Sequence, residues 1–406
     1  MGQPPAFDVV VLGCGGGPCE TNLSAYLVKP HETSWKDGIL ALEAGSGIGA
    51  LRELLGRQPN LFDDWNPTLG DDLPTAHDIY SAIHCFLVTH AHFDHIAGLV
   101  LSAGSLTLGS TRRRVRGLPS VLHDVASVFS GRVWPELASC NPGDDPYKLL
   151  LDPLPDKSEY HALMPSLEAR AMPLAHGPAP STSKTTAIAP TSCHPYDSSA
   201  FFIRHTPSSA EFLFLGDVEP DSISHTGRTR AVWRAAAQRG VPRTVRAIFI
   251  ECSWPAGRPD SLLFGHLSPE YVAAELRTLA KEVRIAAGDD RGGVVRNGNA
   301  KGRHKTEGPA AGARKSKRRR GSIHVVDCDT LQSNGAVGVA SDDPLALVGA
   351  LAGLTVYIIH CKDDFSSAPG EPPVSERILQ QVKALVQEDG LGCEIVLARQ
   401  GMKFSI

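Results

Sequence analysis

A chain of 406 residues is long enough for one large core with insertions or for two domains. Apolar residues make up 42% and charged residues 21% of it, as is usual for a soluble globular protein. No run of eighteen apolar residues occurs, and the amino terminus lacks a basic region before its apolar stretch, so neither a transmembrane helix nor a secretory signal is expected. The nine scattered cysteines form no CxxC pair and favour reduced thiols in a cytosolic protein.

The net charge of −4 is unevenly distributed along the chain. Residues 291–320 contain eleven Lys and Arg and one acid, Glu307, so the rest of the chain is clearly acidic. The stretch 286–340 cannot bury enough apolar surface to offset the entropy of ordering, and we predict a low-complexity basic insertion without fixed structure. Its KSKRRR run at 315–320 suits a nuclear import signal or a nucleic-acid contact, but a solvated loop is the simplest interpretation.

The first hundred residues alternate strand and turn signals. FDVVVLG, LSAYLV and GILAL predict strands, and the last gives way to helix spacing in GSGIGAL. In GCGGGP at 13–18, the proline and the strand-like residues after it favour a tight backbone turn over a dinucleotide-binding loop. Residues 78–83 predict the end of a helix, 84–89 a buried strand, and the segment from Ile96 a second helix.

The remainder of the chain is predicted to complete one domain over 1–406. Residues 103–160 are expected to form a partly helical excursion that caps the core. SPEYVAAELRTLA predicts a helix with Ser268 as its N-cap and Pro269 at its first position, and another helix is expected at about 374–387. Further strands are predicted at EARAMPL, FFIRH, EFLFLGD, RAIFIECS, LTVYIIH and CEIVLA.

The motif HAHFDH follows the predicted strand at 84–89 and places four metal-type ligands in six residues. A turn leaving the strand places His90 and His92 on one side and Asp94 and His95 on the other. Four ligands cannot close on one ion that must also keep an open position. The motif therefore predicts two metal ions and requires further ligands elsewhere in the chain.

Strand ends supply candidates for these further ligands, because catalytic groups often lie where the core strands end. His176 follows AMPL, Asp217 follows FLFLG, and His360 follows VYII. His194 and His205 compete with His176, but the first lies in a Ser/Pro-rich loop and the second precedes a hairpin turn. We therefore favour His176.

Taken together, these motifs resemble the metallo-β-lactamase superfamily of dinuclear hydrolases and, within it, the class II cyclic-nucleotide phosphodiesterases. Phe93 stands where that family usually has Leu, and the apolar stretch after the motif is one residue short. The resemblance implies an α/β fold, a four-layer αββα metallo-β-lactamase-like sandwich, here with two insertions. The narrower likeness rests on VLGCGGGPCETNLSAYLV (11–28), THAHFDHIAGLVLSA (89–103), AHG (175–177), FLGDVEPD (214–221), IECSW (250–254) and GHLSPE (265–270).

The resemblance also implies the ligand set and the cofactors. It assigns three ligands to each of two divalent cations and makes Asp217 the bridge: His90, His92 and His176 for the first, and Asp94, His95 and His360 for the second. Mixed His/Asp ligation suits Zn²⁺ best and tolerates Mn²⁺ or Fe²⁺. A bridging water loses a proton near neutral pH, since one Zn²⁺ already lowers its pKa to about 7, and the hydroxide is the expected nucleophile. Asp94 counts among the catalytic residues as well as the ligands.

His266 is the candidate general acid for the leaving 3′ oxygen. It resembles the HST-type histidine that serves this role in the tRNA 3′-processing endonucleases of the same superfamily. Glu251, which ends the predicted strand RAIFIE, would bond the other ring nitrogen and favour the imidazolium. The alternative is a structural pair at a strand end.

Three functions compete. The leading one is hydrolysis of 3′,5′-cyclic nucleotides, cAMP and/or cGMP, to 5′-monophosphates by the bridging hydroxide. The second is a tRNA 3′-processing-type endonuclease that uses the basic segment as an RNA arm. The acidic charge of the rest of the chain argues against it, and so does the GCGGGPCETNLSAYL stretch, which resembles the phosphodiesterases more closely. The third, a regulatory or RNA-binding protein with structural metals, conflicts with an open dinuclear site. We expect a cytoplasmic or also nuclear enzyme with a small cyclic nucleotide as partner, and neither a membrane nor a nucleic acid.

Overall fold

The computed structural model describes residues 4–65, 73–105, 112–156, 158–178, 195–292, 347–363 and 370–406, without the side chains of 289–292. Most of the predicted basic insertion and the candidate His194 lie outside the described residues. Within them, no helix is both long and apolar enough to cross a bilayer. The predictions of a single domain and of an insertion without fixed structure stay predictions.

Fifteen strands are found in the described part of the chain. They are β1 (Phe7–Gly13), β2 (Ala25–Pro30), β3 (Ile39–Leu42), β4 (Ile83–Leu87), β5 (Arg114–Gly117), β6 (Ala138–Ser139), β7 (Leu149–Pro153), β8 (His161–Met164), β9 (Leu167–Pro178), β10 (Pro195–His205), β11 (Glu211–Leu215), β12 (Val245–Glu251), β13 (Thr355–Ile359), β14 (Glu394–Leu397) and β15 (Lys403–Ser405).

The same residues form eight α-helices and two short 3₁₀ turns, Trp35–Asp37 and Asp260–Leu262. The helices are α1 (Ile48–Arg57), α2 (Ala76–Ser81), α3 (Phe93–Ser102), α4 (Pro119–Val128), α5 (Asp221–Ser224), α6 (Arg228–Arg239), α7 (Pro269–Gly292) and α8 (Val374–Glu388). Helix α7 begins at Pro269, as its capping signal predicts, and its last turns include 286–292 of the predicted insertion.

Two sheets organise the strands. The first has eight strands in the order β15-β1-β2-β3-β4-β5-β7-β6, and the second has seven in the order β14-β13-β12-β11-β10-β9-β8. Strands β11 to β14 run parallel to one another, and β3, β4, β5 and β7 do so in the first sheet. The carboxyl ends of the parallel strands therefore meet at one edge of each sheet, where the strand-ending side chains collect.

The apolar side chains of the second sheet divide between two cores. Phe212 and Phe214 on β11 face the first sheet, where Phe7 and Tyr26 contact them edge to face at ring-centroid distances of 4.9 and 5.3 Å. The alternate residue Leu213 packs in the second core, with α6, α7 and α8. Helices α1 and α4 cover the first sheet. The αββα sandwich expected from the sequence is confirmed.

The segment 103–160 contributes more to the first sheet than its sequence suggested. It contains α4 and three strands, and β5 lies between β4 and β7 rather than outside the sheet. Periodicity does not predict these strands because they have two to five residues each, and β5 also carries two arginines. Arg116 is nevertheless buried on β5, 3.1 Å from Asp152 Oδ2.

Candidate active site

Helix α3 and the loop before it position the HAHFDH motif. Strand β4 ends at Leu87, His90 and His92 follow in extended chain, and α3 begins at Phe93, so Asp94 and His95 lie in its first turn. The helix approaches the chain after β3 very closely: a Cβ on Gly45 would lie 2.0 Å from the Asp94 carbonyl oxygen. Glycine at this position allows α3 to dock with its amino terminus at the sheet edge.

The structure brings all seven predicted metal ligands together in two groups that share Asp217. Within each group every potential ligand atom lies within 4.8 Å of the others. The groups are His90, His92, His176 and Asp217, and Asp94, His95, His360 and Asp217. The competitor His205 lies elsewhere, where its Nε2 is 2.8 Å from Glu32 Oε1.

The first group gathers around the Nδ1 atom of His92. That nitrogen lies 3.0 Å from His90 Nε2 and 3.3 Å from His176 Nε2. Asp217 Oδ2 is 3.6 Å from His90 Nε2 and 3.8 Å from His176 Nε2. Three ring nitrogens and one carboxylate oxygen thus converge on one point.

The second group is arranged around His360 Nε2. This atom lies 3.0 Å from His95 Nε2 and 3.1 Å from Asp94 Oδ2. The same Oδ2 atom of Asp217 is 3.3 Å from His95 Nε2 and 3.4 Å from His360 Nε2. One oxygen of Asp217 therefore faces both groups.

The fit of this cluster to metal ions rests on Asp217 Oδ2. This atom is buried and has no hydrogen-bond partner among the described residues. Burial alone would raise the pKa of Asp217, but charge on His360, His95 and His90 lowers it well below its ordinary value. A buried carboxylate oxygen without a donor is costly unless a cation binds it. Nitrogen and carboxylate donors are also the set that zinc-type cations prefer, so the residues fit two divalent ions.

Four of the five histidines in the two ligand groups are buried, and the ring nitrogen that each turns away from the cluster faces another group of the chain. His90 Nδ1 is 3.0 Å from Thr89 Oγ1, His176 Nδ1 donates to the carbonyl oxygen of Gly265 (2.8 Å), His360 Nδ1 is 3.1 Å from Ser253 Oγ, and His95 Nδ1 is 3.4 Å from Glu43 Oε1. Hydrogen-bond partners fix the orientation of ligating histidines, as those of His90, His176 and His360 do here. The contact between His95 and Glu43 is an ion-pair contact without a hydrogen bond. Sequence analysis missed these four neighbours, although Glu43 and Ser253 also follow strands and the strand-end rule could have found both.

The Gly-rich turn at 13–18 packs against the second group. A Cβ on Gly16 would lie 2.5 Å from His360 Cε1, so only glycine leaves room for the imidazole. Lys362 Nζ donates to the Gly16 carbonyl oxygen at 2.8 Å and lies 3.5 Å from Asp94 Oδ2. His360 itself has a φ of 59°, a strained value for a non-glycine residue. The motif is a tight turn beside the ligands.

His266 and Glu251 form the expected hydrogen bond, with 3.0 Å between His266 Nδ1 and Glu251 Oε1. Glu251 also accepts from the Val218 N–H at 2.9 Å and from Ser253 Oγ at 2.6 Å. The expected stabilisation of the imidazolium is not seen, because burial lowers the pKa of His266 to about 4. Burial and the charge of Asp217 raise the pKa of Glu251 to about 7.

A cavity of about 1280 Å³ opens beside the first group. His92 and His176 form part of its wall, and the Tyr196 ring stacks on His92 with 5.0 Å between ring centroids. Among the described residues that line it there is no Lys or Arg. Four carboxylates line it instead: Asp124, Asp197, Glu219 and Asp260.

Comparison with known proteins gives concordant results. Residues 63–288 match the family model of class-II cAMP phosphodiesterases. A 3′,5′-cyclic-nucleotide phosphodiesterase of Schizosaccharomyces pombe is 30% identical over 69% of this chain and 77% of its own, and one of Aliivibrio fischeri is 28% identical over 68% and 76%. The crystal structure of unliganded yeast PDE1 aligns over 99% of this chain and 100% of its own, with a TM-score of 0.70 and 20% identity, which shows a common fold. The chain belongs to the class-II cAMP phosphodiesterase family.

Proposed function

We propose that this protein hydrolyses 3′,5′-cyclic nucleotides, cAMP and/or cGMP, to nucleoside 5′-monophosphates with two divalent cations. The observation that carries the proposal is Asp217 Oδ2, a single buried oxygen shared by two compact groups of ligand atoms. Paired cations are a recurrent solution for phosphoester cleavage, since they stabilise the attacking and the leaving oxygen together. The family and the names of the relatives support the cyclic-nucleotide substrate.

The two groups would hold one cation each, with Asp217 between them. Histidine and carboxylate ligation suits Zn²⁺ best, and we propose zinc for both positions. The ligands are His90, His92 and His176 on one side and Asp94, His95 and His360 on the other. When bound, the cations supply Lewis-acid activation of water near neutral pH and neutralise charge on the phosphate.

The protein itself orients the reacting groups and moves a proton. The outward contacts of the ligating histidines hold their rings, and Asp94 is fixed between His360 and Lys362. When Glu251 is protonated it donates to His266 Nδ1, and the neutral imidazole then carries on Nε2 the proton that passes to the leaving 3′ oxygen. Glu251, whose pKa is raised to about 7, passes its proton to Nδ1 as Nε2 gives one up, so His266 stays neutral and Glu251 is left as a carboxylate.

The cavity favours a mononucleotide over the alternative substrate, a tRNA precursor. A polyanion needs several Lys or Arg contacts to its phosphates. The described residues lining this cavity offer four carboxylates and no such cation. The basic segment 291–320, which could have offered an RNA arm, lies outside the described residues apart from its first two positions. We therefore keep the endonuclease as the alternative.

A role in cyclic-nucleotide signalling in the cytoplasm follows from this substrate, and the KSKRRR run at 315–320 leaves the nucleus open as a second location. The seven cysteines in the described part of the chain are free thiols, which supports a reducing compartment.

A direct assay tests the proposal. The purified protein, supplied with Zn²⁺, is incubated with cAMP, cGMP and a tRNA precursor, and the products are separated by chromatography. We expect 5′-AMP and 5′-GMP and no cut RNA. Cleavage of the precursor without turnover of either cyclic nucleotide would overturn the assignment in favour of the endonuclease.

A further inference from the structure

Phe264 is an exposed aromatic side chain in the wall of the active-site cavity. Nine large apolar side chains are exposed among the described residues, and Phe264, at 64% exposure, is the only one of them that lines this cavity. A single exposed apolar residue on a surface needs no explanation. Phe264 differs because it lies in the wall of the active-site cavity, two residues from the candidate acid His266, where it can contact a ligand.

The backbone at Phe264 is strained and is held in place by the site. Its φ is +54°, in the left-handed region that bulky side chains rarely occupy. Gly265 follows with a φ of +80° and packs closely against β9, since a Cβ there would lie 2.9 Å from the Gly177 nitrogen. The Gly265 carbonyl oxygen also accepts from His176 Nδ1 at 2.8 Å. The contact that orients a candidate metal ligand therefore also holds the backbone from which the Phe264 side chain projects.

We propose that Phe264 is the platform on which the purine ring of the substrate stacks. The inference rests on the proposed function: with the phosphate at the His/Asp cluster, the base lies in the cavity beside it. An aromatic face attracts every nucleobase without reading its edge, so the platform accepts adenine and guanine alike. Strain at a substrate-binding residue is a known cost of holding a side chain where the ligand needs it.

Replacing Phe264 by Asn separates stacking from support of the fold. Asn tolerates the left-handed backbone better than Phe, so the melting temperature should not fall. Loss of the stack should raise KM for both cAMP and cGMP by about 5- to 150-fold. The same variant should hydrolyse methyl ribofuranoside 3′,5′-cyclic phosphate, which has no base, as well as the wild type does. Phe264→Trp should retain the wild-type KM.

Leu262 provides the matched control, because it lies in the same loop, is 45% exposed and does not line the cavity. Leu262→Ala should leave every KM unchanged. If Phe264→Asn left the KM for cAMP unchanged, Phe264 would not be the stacking platform. An equal loss on the substrate without a base would lead to the same conclusion, because the residue would then support the loop. Wild-type protein inactive on all cyclic nucleotides would overturn the proposed function and this inference together.

Discussion

Two buried aspartates, Asp8 on β1 and Asp217 after β11, have opposite surroundings. Asp8 is saturated by ordinary donors: Lys29 Nζ lies 2.6 Å from Oδ2, and His31 Nδ1 and Ser405 Oγ each lie 2.7 Å from Oδ1. Asp217 Oδ2 has no hydrogen-bond partner within the described structure. Five histidines nevertheless place a nitrogen 3.3 to 3.8 Å from it: His90, His95, His176, His266 and His360.

The difference separates a buried charge that serves the fold from one that serves the chemistry. A buried charge persists where it is paired or where it binds a metal. Asp8 is paired within the chain and ties β1 to β2 and β15. Asp217 Oδ2 has no hydrogen-bond donor among the described residues, and we propose that bound cations stabilise it beyond what the surrounding histidines supply. The two sites should respond in opposite ways to mutation.

The largest effect is expected at Asp217. Asp217→Asn keeps the side-chain volume but removes the charge shared by both ligand groups, so we expect bound metal to be lost. Hydrolysis of cAMP should fall by more than roughly 10³-fold, beyond the ~10- to 100-fold loss typical of residues that only orient a ligand. Metal analysis and kinetics check this together. If the variant retained two ions per chain and an activity close to that of the wild type, Asp217 would not be the bridging ligand.

His266 sharpens the contrast, because it contacts the cluster without being a proposed ligand. His266→Ala should lower cAMP hydrolysis by roughly 10²- to 10⁴-fold, the usual contribution of a positioned general acid, with metal content unchanged. Bis(p-nitrophenyl) phosphate leaves as a stable phenolate and needs little protonation, so the variant should be much less impaired on it. Equal losses on the two substrates would mean that His266 positions the phosphate or supports the fold.

Gly16 tests whether the tight turn supports the second ligand group. An alanine Cβ would meet the His360 ring at 2.5 Å, so Gly16→Ala should displace that ligand and weaken binding of one ion by roughly 10- to 100-fold. Gly49→Ala is the control, because a Cβ there meets no atom within 4 Å. Zinc affinities are measured by competition with a chelator. Equal affinities for the two variants would mean that the tight turn does not position His360.

Asp8 should behave in the opposite way to Asp217. Asp8→Ala removes the nearer of the two carboxylates paired with buried Lys29, while Asp64 Oδ2 remains at 3.0 Å, so the unfolding free energy should fall by at most about 3–5 kcal/mol. Cyclic-nucleotide hydrolysis by the folded protein should be unchanged, because no proposed ligand contacts Asp8. Denaturant titration measures the loss of stability, and kinetics at a temperature where both proteins are folded check that activity is unchanged. A loss of activity without a loss of stability would contradict the assignment of Asp8 to the fold rather than to the chemistry.

The smallest expected effect is the pH dependence of stability in the acid range that arises from Asp8. Burial works to raise the pKa of Asp8, but hydrogen bonds from Lys29, His31 and Ser405 outweigh it and lower the pKa. The resulting stability is fully present above the unfolded pKa of about 3.9 and is lost as the pH falls through the lower folded value. The difference in stability between wild type and Asp8→Asn should therefore be constant at neutral pH and shrink in that acid range. A difference that grows on acidification would contradict the assignment.

The sequence predicted which side chains the structure brings together, because of how parallel strands end. His360 and Asp217 each follow a buried apolar run, and β11 and β13 flank β12 in one parallel array, so sequence position translates directly into spatial position. The HAHFDH motif is equally local, because strand β4 and helix α3 fix it within a few residues.

What the sequence did not reveal depends on contacts between distant segments. Glu43 follows a strand, but nothing local shows that its neighbour is His95, and nothing local marks Gly16 as the surface that His360 packs against. The sequence indicates the pairing of His266 with Glu251 but not the burial that lowers the pKa of His266 to about 4. Strand β15, three residues long, is stabilised by pairing with β1 and has too little pattern of its own to predict.

One titration tests the dinuclear account most directly. Protein stripped of metal by a chelator is titrated with Zn²⁺, and cAMP hydrolysis and bound zinc are measured at each step. Because Asp217 joins two ligand groups, we predict that stripped protein is inactive and that activity reaches its maximum only when two ions are bound per chain. Full activity with one bound ion, or with none, would contradict it.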